Sequence, residues 1–332
     1  MQKNYHVGII GLGVGLKHYE VFKKIKNIKV TALCDFDKKK IIEIKRRKIT
    51  QKIFKSARKL IESKEIDIVS IASYDSYHFE QIIHCIKNKK HIFVEKPICL
   101  TLLELKKIKK LLKKNPSVFF GTNMNLRTSK NFIDLKNKIK KNNIYFIEAD
   151  YNSGRIGKIT NGWRTKERYH SIILSAAVHV IDLICWLVGS FPVSVYGLSN
   201  KIVTRDTKFK YDDFSVALLK FKNGLICKVS ANIGCVYPHF HKFSLYSKNL
   251  TYEQSINGSY FLYRSGNKLK KVKQKYDYKN RQRGLVIKEY VSRIIKKDKK
   301  NNKEFFNQIF NVMKVCFLFI NSTKTKKHII VK

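Results

Sequence analysis

Several things are scarce in this 332-residue chain, and each scarcity narrows what it can be. Its seven cysteines are scattered, and no two form a CxxC pair. That spacing argues against a structural zinc site and a disulfide framework, and for reduced thiols in a cytoplasmic protein. No run approaches the roughly 20 apolar residues that a membrane span requires. The opening Met1-Gln2-Lys3-Asn4-Tyr5 passes straight into a strand-like run, so no signal peptide is expected. No internal repeat is present.

Acidic residues are the scarcest charged class: 24 Asp+Glu against 69 Lys+Arg give a formal charge of +45. Such a surplus can serve a polyanion partner or fill solvated positions. The lysines are spread (Lys38 to Lys40, Lys106 to Lys114, Lys136 to Lys141, Lys296 to Lys303), mostly on expected helix surfaces and loops. No nucleic-acid-binding motif accompanies them, so no specific nucleic-acid partner is expected.

At 44% hydrophobic content the chain can bury a sizeable core, and its length suits two domains. Residues 5 to 122 alternate strands with helices. Strands are expected at Tyr5 to Ile10, Ile28 to Cys34, Asp67 to Ser73, His91 to Val94 and Ser117 to Gly121. Between them lie helical patterns, including Leu100 to Lys114 with Thr101 as its cap. This alternation predicts a doubly wound parallel sheet, an α/β Rossmann domain over residues 1–122. After Asn123 strands dominate, at Tyr145 to Tyr151, Ser194 to Ile202, Phe214 to Phe221, Leu225 to Ile233 and His241 to Ser247. Asn223-Gly224 marks a hairpin. Residues 123–332 therefore read as an α+β domain with an open, largely antiparallel sheet. A helix is expected over His170 to Leu187 and a last one over Asn302 to Ser322. The polar, basic stretch Ser265 to Arg283 reads as a mobile loop.

The chemistry lies in a few short motifs. The turn Gly11-Leu12-Gly13-Val14 follows the first strand and opens the first helix, the setting in which backbone N–H groups meet a pyrophosphate. The third glycine of GxGxxG would fall at Leu16, and Gly15 is one residue early. Asp35 ends the second strand, where a carboxylate takes the adenosine ribose hydroxyls and repels a 2′-phosphate. That favours NAD over NADP, and Lys38 to Lys40 soften the preference. Glu95-Lys96-Pro97 follows another buried strand, which aims Lys96 into the ligand crevice. Pro97 holds Lys96 extended. His179 and Asp182 stand at i and i+3 in an apolar helix. His239 and His241 share one strand face, but two ligands are too few for a metal, and a substrate-pocket or interface role suits them better. No metal site is assigned.

In this order the motifs resemble the Gfo/Idh/MocA family of oxidoreductases. The matching segments are GLGVGLKH (Gly11 to His18), Cys34-Asp35, IVSIASYDSYH (Ile68 to His78), KKHIFVEKPICLT (Lys89 to Thr101), NGWR (Asn161 to Arg164) and VHVIDLICWLVG (Val178 to Gly189). YNSGRIGKITNGWR and ANIGCVYPHFH are similar to a branch associated with bacterial surface-polysaccharide synthesis. The resemblance implies NAD(P) chemistry on sugars, cyclitols or nucleotide sugars, and a second domain that often forms homo-oligomers. It gives Lys96 contact with the reacting hydroxyl and the nicotinamide ribose, and makes His179 the acid/base. Ser73, Asp75, His78 and Glu95 would lie along the cofactor. Trp163 and Arg164 would stand at the active-site mouth and also contact the cofactor, and Arg164 and Asp182 would meet substrate together with Lys96 and His179. One departure stands out: many members carry an aspartate four residues before the histidine, and this chain has Ser175. The rival expectation is therefore a non-catalytic, cofactor-binding regulatory protein with a basic surface.

Overall fold

The computed structural model describes residues 3–139, 143–276, 278 and 284–331. The chain divides into two compact units, residues 1–123 with 283–310 and residues 124–282 with 311–332.

The first unit is built on a six-stranded sheet of β1 (Tyr5–Ile10), β2 (Ile28–Cys34), β3 (Lys52–Phe54), β4 (Ile68–Ile71), β5 (His91–Val94) and β6 (Phe120–Thr122). Their order is β3-β2-β1-β4-β5-β6, and all pairs are parallel. This doubly wound arrangement is the expected Rossmann sheet, and it reverses direction beside β1, where such folds bind ligands. Its strands read as apolar runs because helices cover both faces of a parallel sheet. These helices are α1 (Gly15–Phe22), α2 (Lys38–Arg46), α3 (Ala57–Glu62), α4 (His78–Lys87) and α5 (Leu102–Lys114). Thr101 caps α5 as expected, in a reciprocal box with Glu104: its hydroxyl accepts the Glu104 N–H at 3.1 Å, and the Glu104 carboxylate accepts the Thr101 N–H at 3.1 Å.

The second unit contains α6 (Lys130–Lys138), β7 (Ile144–Asn152), the single turn α7 (Gly157–Thr160) and α8 (Val178–Val188), then β8 (Pro192–Asn200), β9 (Phe214–Phe221), β10 (Ile226–Asn232), β11 (Phe240–Ser247), β12 (Leu250–Ser255), β13 (Gly258–Ser265) and β14 (Lys268–Lys273). Near the C-terminus come α9 (Leu285–Ile295), α10 (Lys299–Thr325) and β15 (Ile329–Ile330). The large sheet runs β14-β13-β12-β11-β7-β10-β9-β8-β15. Among the described residues only the β10–β7 pair of this sheet is parallel, so the sheet is largely antiparallel as expected. Ile173–Ala177 winds more widely than an α-helix, as a π segment leading directly into α8. Gly189, at φ +74°, ends α8 in the left-handed conformation that glycine adopts at little cost.

Two differences from the sequence reading have clear causes. The expected mobile loop from Ser265 is in its first part a strand: Lys268–Lys273 pairs antiparallel with β13 at the sheet edge. Its lysines mask a strand pattern while protecting an exposed edge from pairing with other chains. Residues 277 and 279–283 of that stretch lie outside the described residues. The segment 283–310, assigned by the sequence reading to the second domain, groups with the first unit. Val286, Ile287, Tyr290, Val291 and Ile294 of α9 join one core with Tyr5, Phe22 and Phe93.

Candidate functional site

The dinucleotide turn owes its shape to Gly11. Its φ is +87°, its N–H donates to Cys34 O at 2.8 Å, and a Cβ there would lie 2.3 Å from Ala72 O. No L side chain fits so close to the backbone that follows β4. At Gly13 a Cβ would meet nothing nearer than Lys40 Nζ at 3.9 Å, so the turn stays open where a pyrophosphate would approach. Gly15 is buried, and a Cβ there would come within 2.9 Å of Ile9 Cγ2. It thus supplies the close helix–strand packing that a third glycine would give at Leu16. Leu12 is 2% exposed and anchors the turn, whereas Val14 is 46% exposed.

Asp35 is held tightly at the end of β2. Its Oδ2 accepts the Leu12 N–H at 2.7 Å, its Oδ1 accepts the Asp37 N–H at 2.9 Å, and Lys40 Nζ lies 3.3 Å from Oδ2. Beside it Phe36, Tyr74 and Tyr77 form an aromatic group with Phe36 63% and Tyr77 50% exposed. The sequence reading missed this trio, because Phe36 and Tyr77 are 41 positions apart and meet only through the strand order.

Glu95 and Lys96 follow β5, and the Lys96–Pro97 peptide is cis. Glu95 Oε1 accepts from His18 Nε2 at 3.0 Å and from Asn123 Nδ2 at 2.7 Å, while His18 Nδ1 contacts Ser70 Oγ at 2.9 Å. Burial pushes the Glu95 carboxyl upward. The His18 hydrogen bond and charge, the Lys96 ammonium and the Asn123 amide outweigh it and bring Glu95 down to about 2. Lys96 therefore stands beside a permanent anion. His78 is fully buried, with Nδ1 2.7 Å from Pro97 O and Nε2 3.2 Å from Ser73 O. It ties the loop after β4 to the loop after β5. Ser73 Oγ donates to Gln81 at 2.8 Å, and Asp75 is 9% exposed in the short turn before α4.

In the second unit His179 lies on the first turn of α8 and stacks on Tyr151 of β7, with centroids 5.9 Å apart and planes at 9°. His241 lies edge-on to Tyr151 at 4.9 Å and 6.0 Å from His179, and its Nδ1 contacts the Tyr278 hydroxyl. His239 lies 5.2 Å from Tyr151 and 5.5 Å from His241. The structure thus brings His239 and His241 to His179. Asp182 is 1% exposed, and Arg127 takes both its oxygens, Nε at 2.8 Å and Nη2 at 2.5 Å. Arg127 is the partner that sequence reading missed. Ser175, within the π segment, contacts His170 Nε2 at 3.2 Å. Arg164 stacks on Trp163 with its guanidinium 4.3 Å from the ring centroid. Among the described residues no group of three or more His, Cys, Asp or Glu could hold a metal ion, and no helix is long and apolar enough to cross a membrane.

Comparison with known proteins agrees with this architecture. Residues 5–122 match the Gfo/Idh/MocA oxidoreductase family model with its NAD-binding Rossmann fold, and residues 142–253 match the Gfo/Idh/MocA C-terminal domain. Myo-inositol 2-dehydrogenase of Thermotoga maritima is 27% identical over 285 residues, covering 77% of this chain and 81% of the relative. The 2,7-anhydro-N-acetylneuraminate hydratase of Escherichia coli is 25% identical over 257 residues, 70% of this chain and 63% of that protein. The structure of scyllo-inositol dehydrogenase from Lactobacillus casei with bound NAD(H) and scyllo-inositol superposes with a TM-score of 0.75 at 14% identity, covering 99% of each chain. Turn, acid, lysine motif and second-domain histidine, together with matches to both family domains, establish that the chain belongs to the Gfo/Idh/MocA family of oxidoreductases.

Proposed function

We propose that this protein is a nicotinamide-dependent dehydrogenase that oxidises a ring hydroxyl of a sugar, cyclitol or nucleotide sugar to a ketone, with NAD favoured over NADP. The observation that carries this reading is the pairing, on one parallel sheet, of the glycine turn with Glu95 and Lys96. The open space at Gly13 and the close approach at Gly11 fit a dinucleotide. Gly11 to Val14 would hold its pyrophosphate, Asp35 its ribose, and Phe36 and Tyr74 its adenine. When bound, the nicotinamide supplies the hydride acceptor.

The chain's own groups handle the proton. Lys96 hydrogen-bonds the reacting oxygen and stabilises it as negative charge develops. The His179 imidazole takes the hydroxyl proton, and in the reverse direction returns it. Such proton transfer is typically worth about 10² to 10⁴ in rate. Tyr151, His239 and His241 offer a ring face for the substrate's C–H surface and polar groups for its hydroxyls. The relatives named as inositol dehydrogenases support a polyhydroxylated ring as substrate.

Incubation with NAD⁺ and a panel of inositols, free sugars and nucleotide sugars should produce NADH absorbance at 340 nm with at least one of them. Ser175 in place of a carboxylate favours a second reading, a cofactor-binding protein without turnover. Tight NADH binding with no turnover on the whole panel would select it. The reading also carries a cytoplasmic setting, consistent with seven free thiols, six of them buried. It carries self-association through the large sheet, where Tyr196, Leu198, Leu218 and Ile226 stand exposed. Light scattering at micromolar concentration should report a mass above the 39.0 kDa of one chain, and a strictly monomeric mass would reject that part.

A further inference from the structure

We propose that the outer edge of β14 docks an acidic, extended segment of a partner protein by strand addition. Among the described residues β14 (Lys268–Lys273) ends the large sheet and pairs on one side only, with β13. Alternate residues of such an edge turn their N–H and C=O groups away from the sheet, where another strand can take them. All six residues of β14 are exposed, Leu269 at 72%. The strand is therefore accessible along its whole length.

The side chains decide which strand fits. Strand geometry puts Lys268, Lys270 and Val272 on one face and Leu269, Lys271 and Lys273 on the other, so each face presents two ammonium groups. Lys271 Nζ lies 4.1 Å from the Tyr260 ring centroid, which keeps that ammonium beside the strand. Arg264, in register with Leu269, and Lys275 add exposed positive charge, and no Asp or Glu occurs from Gln254 to Tyr276 to offset it. Like charges directly opposite each other destabilise a strand pair, and unlike charges stabilise it. A second copy of β14 would set lysine against lysine, and a neutral strand would bring no counter-charge. The same lysines that keep such strands off the edge select an acidic one. Lys-Leu-Lys-Lys-Val-Lys has the same order of basic and apolar positions in both directions. Its complement is acid-apolar-acid-acid-apolar-acid, whichever way the partner runs. A nucleic acid or an anionic lipid surface would meet the lysines but has no row of amides for the edge, which favours a polypeptide.

The test is titration of the full chain with a fluorescein-labelled peptide whose core is Glu-Val-Glu-Glu-Val-Glu, reading anisotropy at about 0.15 M ionic strength. The peptide should bind and should slow amide hydrogen exchange in β14. The same peptide N-methylated throughout keeps the charges but has no N–H donors, and should bind about tenfold or more weakly. Lys270→Glu combined with Lys271→Glu, one reversal on each face, should weaken the acidic peptide by about tenfold or more. The same double variant should gain binding of a Glu-Val-Lys-Lys-Val-Glu peptide, which also establishes, with circular dichroism, that it is folded. Failure of the acidic peptide to bind, or equal binding of its N-methylated form, would overturn strand addition. So would an oligothymidylate or phosphatidylserine vesicles that bind as tightly as the peptide and lose that binding in the double variant; the edge would then be a site for nucleic acid or for a membrane surface.

Discussion

Lys96→Ala should reduce turnover by about 10³-fold or more, with NADH affinity within a few fold of wild type. The split follows from where the binding groups lie. Pyrophosphate and adenosine contacts belong to Gly11 to Val14, Asp35 and the aromatic trio, none of which depends on the Lys96 ammonium. The reacting oxygen has Lys96 as its proposed cation. Glu95→Gln probes the same centre more gently. Glu95 is lowered from the ordinary 4.5 to about 2, so the folded protein holds it as a carboxylate. A depressed carboxyl contributes stability that is fully present above pH 4.5 and is lost as pH falls through about 2; the shift corresponds to about 3 kcal/mol. Glu95→Gln should therefore lower kcat less than Lys96→Ala does, and should flatten the loss of unfolding free energy between pH 4.5 and 2. His179→Ala should lower turnover by about 10² or more. A Lys96→Ala protein that keeps a tenth of wild-type turnover would remove Lys96 from the chemistry.

The first unit was largely legible because its information is local. Apolar runs alternate with helical spacing, and glycine, acid and lysine each stand at a strand end, where a doubly wound sheet collects its ligand-binding groups. What stayed hidden depends on pairs far apart in sequence. Arg127 and Asp182 are 55 positions apart, and neither is distinctive among the charges of this chain. His18, in the first helix, meets Glu95 only because β1, β4 and β5 are neighbours. The α9 pattern was available at Val286, Ile287, Tyr290, Val291 and Ile294, one amphipathic stripe, but its destination in the first unit's core was not. The π segment before α8 has no compositional signature, since Ile173 to Ala177 would suit an ordinary helix equally well. Edge strand β14 was obscured by the lysines that protect it.

Arg127→Met should destabilise the protein by about 3 to 5 kcal/mol at neutral pH, the cost of leaving a buried carboxylate without its counter-ion. Asp182 is 1% exposed, and the side chain of Arg127 is 10% exposed. Burial pushes the Asp182 carboxyl above its ordinary range, and the charge and hydrogen bonds of Arg127 hold it back. Removing Arg127 lets burial act alone, so the carboxyl rises further. A raised carboxyl favours the folded state below its unfolded value and loses that contribution as pH rises through the folded one. The Arg127→Met defect should therefore be smaller near pH 4 than at pH 8, when the variant and wild type are unfolded with urea at both. Asp182→Asn alone should cost less than Arg127→Met, because an unpaired guanidinium at the margin reaches solvent more easily than an enclosed carboxylate. The double variant Arg127→Met with Asp182→Leu should recover much of the loss, as buried pairs replaced by apolar groups of similar volume often do. The pair also ties α8 to the 3₁₀ turn Asn125–Thr128, and Asp182 sits one helical turn from His179. Arg127→Met should consequently lower kcat, and the double variant should restore stability more fully than turnover. A single-variant cost below about 1 kcal/mol, the range of a solvated surface pair, would mean that Asp182 is not enclosed and would return it to the residues available for substrate.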